Sequence, residues 1–176
     1  MKSGIVILAE LHGALRERVL DVQRRFDPRL AAGVPPHVTI TGSSGMGPIS
    51  TATTMDELRA ALEPVAGDTA PMLLHFHRPH RFMQTDIIVL PLDPHGPLRT
   101  LHERIRGSGL AYEQPRFTFT PHVTLTFFRQ LAPLEVKELL AMRFDEPVVI
   151  DRISAHKTVN IVTSSKLIEL PLTGAR

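Results

Sequence analysis

The sequence predicts an α+β fold in which two pseudo-symmetric lobes form one body, with antiparallel or mixed sheets and helices outside them. Three observations carry this. The hexapeptide Pro36-His37-Val38-Thr39-Ile40-Thr41 returns as Pro121-His122-Val123-Thr124-Leu125-Thr126, with one conservative change. Around each copy the same order of patterns recurs: apolar run, helix, His-Thr strand, helix, strand. Two such units are too few for a stacked array but suit lobes facing across a twofold axis. Finally, 176 residues at 43% hydrophobic content can bury one good core or two small fused ones. No long linker interrupts the chain, so residues 1–176 are read as a single domain, its first unit about 1–80 and its second about 86–172.

In order, Ile5–Ala9 reads as the first strand. Leu15, Val19, Val22 and Phe26 recur at helical spacing, and Asp27-Pro28 stops that helix. The His37 strand follows, then a Gly/Ser-rich stretch from Gly42 to Pro48 that reads as a mobile loop. Thr54-Met55-Asp56-Glu57 matches a capping box ahead of a helix whose apolar stripe is Leu58, Ala61, Leu62 and Val65. Met72–Phe76 and Ile87–Leu92 read as strands joined by a basic, histidine-containing link. Asp93 and Pro94 suit the cap and first turn of the next helix, traced by Leu98, Leu101, His102 and Ile105. After the His122 strand, Pro133 opens a short helix. Val148–Ile153 and Lys166–Leu170 close the chain as strands.

Both hexapeptides are rich in β-branched residues, and proline is tolerated at a strand start. Alternate strand side chains share a face, so His37, Thr39 and Thr41 point one way and Val38 and Ile40 the other. The second copy sorts identically. Each strand is expected to bury one face and wet the other. Duplication kept for packing would preserve the apolar face; a preserved polar face points to a ligand.

Composition narrows the classes. Zero cysteines exclude disulfides and thiolate zinc sites. The early apolar run is too short for a secretory signal or a membrane span, so the chain reads as cytoplasmic with no membrane partner. A net charge of +2 gives no bulk attraction to nucleic acid. A monomer is the default for a chain with its own internal twofold.

If the paired strands line one groove, a phosphodiester between them meets one imidazole on each flank. Histidine suits proton transfer in both directions near neutrality, and threonine hydroxyls can donate to the non-bridging oxygens. That chemistry requires no metal or other cofactor.

Paired His-x-Thr-x motifs, one in each half of a duplicated α+β chain, resemble the 2H phosphoesterase superfamily and, within it, the bacterial 2′-5′ RNA ligase or RNA 2′,3′-cyclic phosphodiesterase group. Phe119-Thr120-Pro121 before the second motif is also similar to the family pattern. The resemblance implies two antiparallel sheets lining a bilobal cleft with helices outside. It also implies His37, Thr39, His122 and Thr124 as the catalytic set. The expected activity is opening of 2′,3′-cyclic phosphates of RNA ends or nucleotides to 2′-phosphates, with reversible 2′-5′ ligation allowed. His37 is favoured as acid and His122 as base, although the pseudo-symmetry leaves the reverse open. Alternatives are a phosphodiesterase for 2′,5′-oligoadenylate or another small phosphodiester, and an RNA-end-binding module without turnover.

The sequence departs from the family where an arginine commonly stands five positions after the second histidine. Phe127 occupies that place, Arg129 is the nearest arginine, and a regular strand would aim both away from His122. Further substrate-binding candidates are Phe82, Phe119 and Phe127 for base stacking, and Arg78 and Arg81 for a basic rim. His75, His77 and His80 lack neighbouring carboxylates and suit such a rim better than a metal site. His12, His95, His102 and His156 read as surface or helix residues.

Overall fold

The two histidine strands are neighbours. β2 (His37–Thr41) and β6 (His122–Thr126) run antiparallel at the middle of a seven-stranded sheet and meet at Val38 and Val123. The computed structural model describes residues 3–159 and 163–175. Outward from that contact the two sides are built alike. β1 (Gly4–Glu10) pairs with β2, and β5 (Ile88–Pro91) pairs with β6. Both registers slip at the same place: Ile7 and Leu8 face Thr41 and Thr39, and Ile88 and Val89 face Thr126 and Thr124. Each histidine strand therefore carries one extra residue, Ile40 or Leu125, at a bulge that bends it.

β8 (Arg152–Thr158) and β9 (Ser164–Pro171) continue the sheet beyond β1, and β4 (His80–Arg81) edges β5. β3 (Met72–Leu74) and β7 (Val148–Ile150) form a separate two-stranded ribbon. All pairings are antiparallel. They also follow the sequence repeat: β2 meets β6, β3 meets β7, and β4 crosses to β5 as β8 crosses to β1.

The helices α1 (Gly13–Phe26), α2 (Pro28–Ala31), α3 (Met55–Gly67), α4 (Pro97–Arg106) and α5 (Pro133–Ala141) pack around this frame. α1 buries Leu15, Val19 and Phe26, and α4 buries Leu98, Leu101 and Ile105. Each also braces the other unit's histidine strand. Gln23 Nε2 donates to the Thr124 carbonyl at 2.7 Å, and His102 Nδ1 donates to the Ile40 carbonyl at 2.7 Å. These bonds satisfy buried polar groups and lock the strands to the helices. The Thr54–Glu57 capping box forms as expected, and Pro133 opens α5.

Several expectations are corrected. The mixed α+β architecture with antiparallel sheets holds, but the histidine strands share one sheet across the repeat. Val148–Ile153 is two strands: the chain leaves the ribbon at Asp151 and enters the main sheet. Proline at N1 of α4 is Pro97 rather than Pro94, because Asp93 accepts from the His95 N–H in a turn before the helix. The loop from Gly42 to Pro48 is pinned, since Gly45 and Gly47 donate to the Phe117 and Glu113 carbonyls and Met46 is buried. Thr41 and Thr126 are fully buried beyond the bulge, not wetted. His156 is neither a surface nor a helix residue but a buried residue of β8, and His102 is buried in α4.

Candidate active site

Pro36 and Pro121 hold the chain extended just before each histidine. That geometry places the carbonyl two residues upstream beside the imidazole. His37 Nδ1 lies 2.7 Å from the Pro35 oxygen, and His122 Nδ1 lies 2.7 Å from the Thr120 oxygen. A carbonyl only accepts, so Nδ1 carries hydrogen in both rings and Nε2 is the atom left to gain or lose a proton. Both units thus fix the same tautomer by the same local device.

Both histidines, Thr39 and Thr124 line a single cavity of about 400 Å³. With Val38 set against Val123 on antiparallel strands, His37 falls level with Thr124 and Thr39 with His122. Burial pushes both imidazoles below the ordinary histidine pKa, while the Pro35 and Thr120 carbonyls pull the other way. His37 additionally feels His156, which opposes its charged form, then Glu10, which favours it, and more weakly His122, which opposes it. The arrangement can therefore place two reversible proton carriers and two hydroxyl donors around one anion.

Of the other candidates, Phe127 lines the cavity. The expected face was wrong because β6 ends at Thr126: the buried Asp27 carboxylate accepts from the Phe127 and Phe128 N–H groups at 2.7 Å each and turns the chain. Phe82 meets the His122 ring edge-on at 5.4 Å. Phe119 is buried and stacked on His102 at 4.1 Å, which makes it a core residue outside the cavity lining. Arg78, Arg81 and Arg129 do not line the cavity either. Arg81 is held by Asp86 and the Thr85 carbonyl, and Arg129 by Glu135. Sequence reasoning missed Gln23 on α1 and the loop residues Gln114, Arg116 and Phe117, all of which line the cavity. The available signal was an aromatic, Phe117, inside a polar loop; it is 70% exposed.

Among the described residues no three His, Cys, Asp or Glu side chains are grouped to hold a metal ion, and no helix is long and apolar enough to cross a membrane.

The sequence profile of the 2′-5′ RNA ligase superfamily matches residues 8–160, a span that includes both His-Val-Thr motifs. The chain belongs to the 2′-5′ RNA ligase superfamily. Its relatives in that superfamily carry the provisional name of phosphoesterase. One from Geobacillus kaustophilus is 30% identical over 126 residues, covering 71% of this chain and 68% of its own. One from Bacillus cereus is 28% identical over 127 residues, covering 71% and 69%. Among solved structures, TT0787 of Thermus thermophilus matches with a TM-score of 0.63 at 15% identity, covering 98% of this chain and 99% of that one. LigT of E. coli, crystallised with 3′-AMP, matches with a TM-score of 0.59 at 15% identity and the same coverage. The fold of these two structures is thus shared along nearly the whole chain.

Proposed function

We propose that the cavity hydrolyses 2′,3′-cyclic phosphates of RNA ends or nucleotides to 2′-phosphates by two-histidine acid–base catalysis. One observation carries the proposal: two imidazoles with identical fixed tautomers, from adjacent antiparallel strands, line one cavity with two threonines. Water attacks phosphorus and passes its proton to Nε2 of one histidine. As the P–O3′ bond breaks, the other histidine gives its Nε2 proton to the departing oxygen, leaving a 2′-phosphate and a free 3′-hydroxyl. Thr39 and Thr124 donate to the non-bridging oxygens, where charge accumulates. A 5′-hydroxyl in place of water gives a 2′,5′ linkage by the same proton transfers. LigT, crystallised with 3′-AMP and with NADP+, binds nucleotides, which supports a nucleotide as the occupant.

The test is single-turnover reaction with a 2′,3′-cyclic nucleotide in the presence of EDTA. Product should form at full rate, and His37→Ala or His122→Ala should each lose roughly 10²–10⁴ in rate with the fold intact. A persistent unhydrolysed complex would favour a binding module, and loss of activity in EDTA would refute the metal-independent reaction.

A further inference from the structure

The two halves of the site match in strand register, ring hydrogen bond and threonine position, but they differ in the residue set across from each histidine. β1 sets Glu10 across from His37, whereas β5 sets Pro91 across from His122. Glu10 shares its strand face with Val6 and Leu8, which line the cavity. Its carboxylate is 16% exposed and held from behind, 2.9 Å from Lys166 Nζ and 3.4 Å from His156 Nε2.

The charges around it do not cancel. Lys166 also pairs with Glu169 at 2.7 Å, and Arg152 pairs with Glu169 at 3.3 Å and with Asp151 at 2.9 Å. The chain Glu10, Lys166, Glu169, Arg152, Asp151 therefore sets three carboxylates against two cations. His156 is buried and bonded to Ser154 Oγ at 2.9 Å, and burial favours its neutral form. His12 stands 3.8 Å from Asp151 at the far end. The network as a whole thus keeps one negative charge in excess, and its Glu10 end lies across from His37. Beside His122 stand the Phe82 ring edge, the Thr120 carbonyl and Pro91, while Glu113 and Arg116 line the cavity that both histidines share.

We propose that Glu10 is a positioning residue that breaks the symmetry of the histidine pair: its carboxylate keeps the transferable proton on His37, making His37 the acid and His122 the base. This rests on the phosphodiesterase reading above. Burial penalises the charged form of both rings, but only His37 has a carboxylate set across from it, and a nearby carboxylate stabilises a charged imidazole. A phosphodiester between the rings attracts a proton to both, so the difference set by Glu10 survives substrate binding.

Glu10→Gln removes the charge and keeps an acceptor for Lys166. Two measurements read the result: ring titration of His37 and His122 by NMR, and the pH profile of kcat/KM on a 2′,3′-cyclic nucleotide. The His37 midpoint should fall by about half to one pH unit, less than an isolated contact pair gives because Lys166 shares the carboxylate. The His122 midpoint should hold. The alkaline limb of kcat/KM, set by loss of the acid's proton, should move down by the same amount while the acidic limb stays, and Glu10→Asp should restore much of it. If Glu10→Gln folds poorly, Lys166→Met removes the competing cation and should raise the His37 midpoint. An unmoved His37 midpoint in the folded variants overturns the proposal, and so does movement of the acidic limb instead. A wild-type chain inert toward cyclic phosphates would sink the phosphodiesterase reading alone, since the ring titration still reports on Glu10.

Discussion

Replacing Asp27 by asparagine tests how the first unit holds the second. The Asp27 side chain is buried, with Oδ1 accepting from the Leu30 N–H at 3.1 Å and Oδ2 accepting from the Phe127 and Phe128 N–H groups at 2.7 Å each. One carboxylate therefore caps α2 and fixes the segment that leaves β6. Asparagine offers one acceptor oxygen. Whichever way its amide turns, at least one buried N–H faces an NH₂ group, at about 1–3 kcal/mol, and the surviving bonds lose their charge assistance, about 1 kcal/mol each. The sum is about 3–5 kcal/mol, a large share of the roughly 5–15 kcal/mol that keeps a domain folded. With a urea m-value of about 2 kcal/mol per molar, the midpoint should fall by about 1.5–2.5 M. Equilibrium urea unfolding followed by circular dichroism measures this. A midpoint shift below about 0.5 M would show that Asp27 does not carry the junction.

Three further outcomes follow from the same geometry. Burial holds the His102 and His156 pKa values below the ordinary histidine value, so near and below pH 6.5 the unfolded chain binds more protons than the folded one. Stability should therefore fall as pH drops through that range and level off above it, and His102→Asn should flatten the slope in urea titrations. Gly45 has φ +72°, and an added Cβ would lie 2.4 Å from His102 Nε2 and 2.8 Å from Phe119 Cβ, so Gly45→Ala should cost about 2 kcal/mol or more. Gly67→Ala, in α3 with nothing within 4 Å, should instead stabilise by about 0.5–1 kcal/mol, and thermal melts compare the two. Phe117→Ala, by removing an exposed ring from the cavity mouth, should raise KM for a cyclic nucleotide roughly tenfold and lower kcat less, as loss of base stacking predicts; an unchanged KM would remove Phe117 from substrate binding.

The elements legible in the sequence are those written in local periodicity. The His-Thr strands, the stripe and capping box of α3 and the proline of α5 depend on residues a few positions apart. What the sequence hides depends on distant partners. Asp27 reads as a helix stop because Pro28 follows it, while its bonds to residues 127 and 128 have no local signature. Gly42 to Pro48 has loop composition whether or not the loop is packed, and its packing comes from carbonyls at 113 and 117. Val148–Ile153 reads as one strand because apolar residues stand on both sides of Asp151-Arg152, and the choice of β-partner divides it there. His156 sits where alternation alone would predict a solvated face, but the sheet continues past it and the Glu10 network covers it. Of the site, the four motif residues converge as expected, and Phe127 joins them through a turn that strand parity does not foresee.

Register explains why a duplicated tripeptide yields a site at all. On antiparallel strands, opposed residues present their side chains to the same face, and a slip of one position inverts one strand against the other. Val38, Ile40, Val123 and Leu125 are fully buried, so neither strand can slip without exposing its apolar set. With Val38 held against Val123, both histidines and both threonines must share the opposite face, each histidine level with the other strand's threonine. The apolar residues thus specify where the polar ones go. Symmetry of this kind supplies two imidazoles in matching settings, and either can give or take a proton near neutrality. On the acid–base reading proposed above, the position where glutamate faces one histidine and proline the other is where the two rings come to differ.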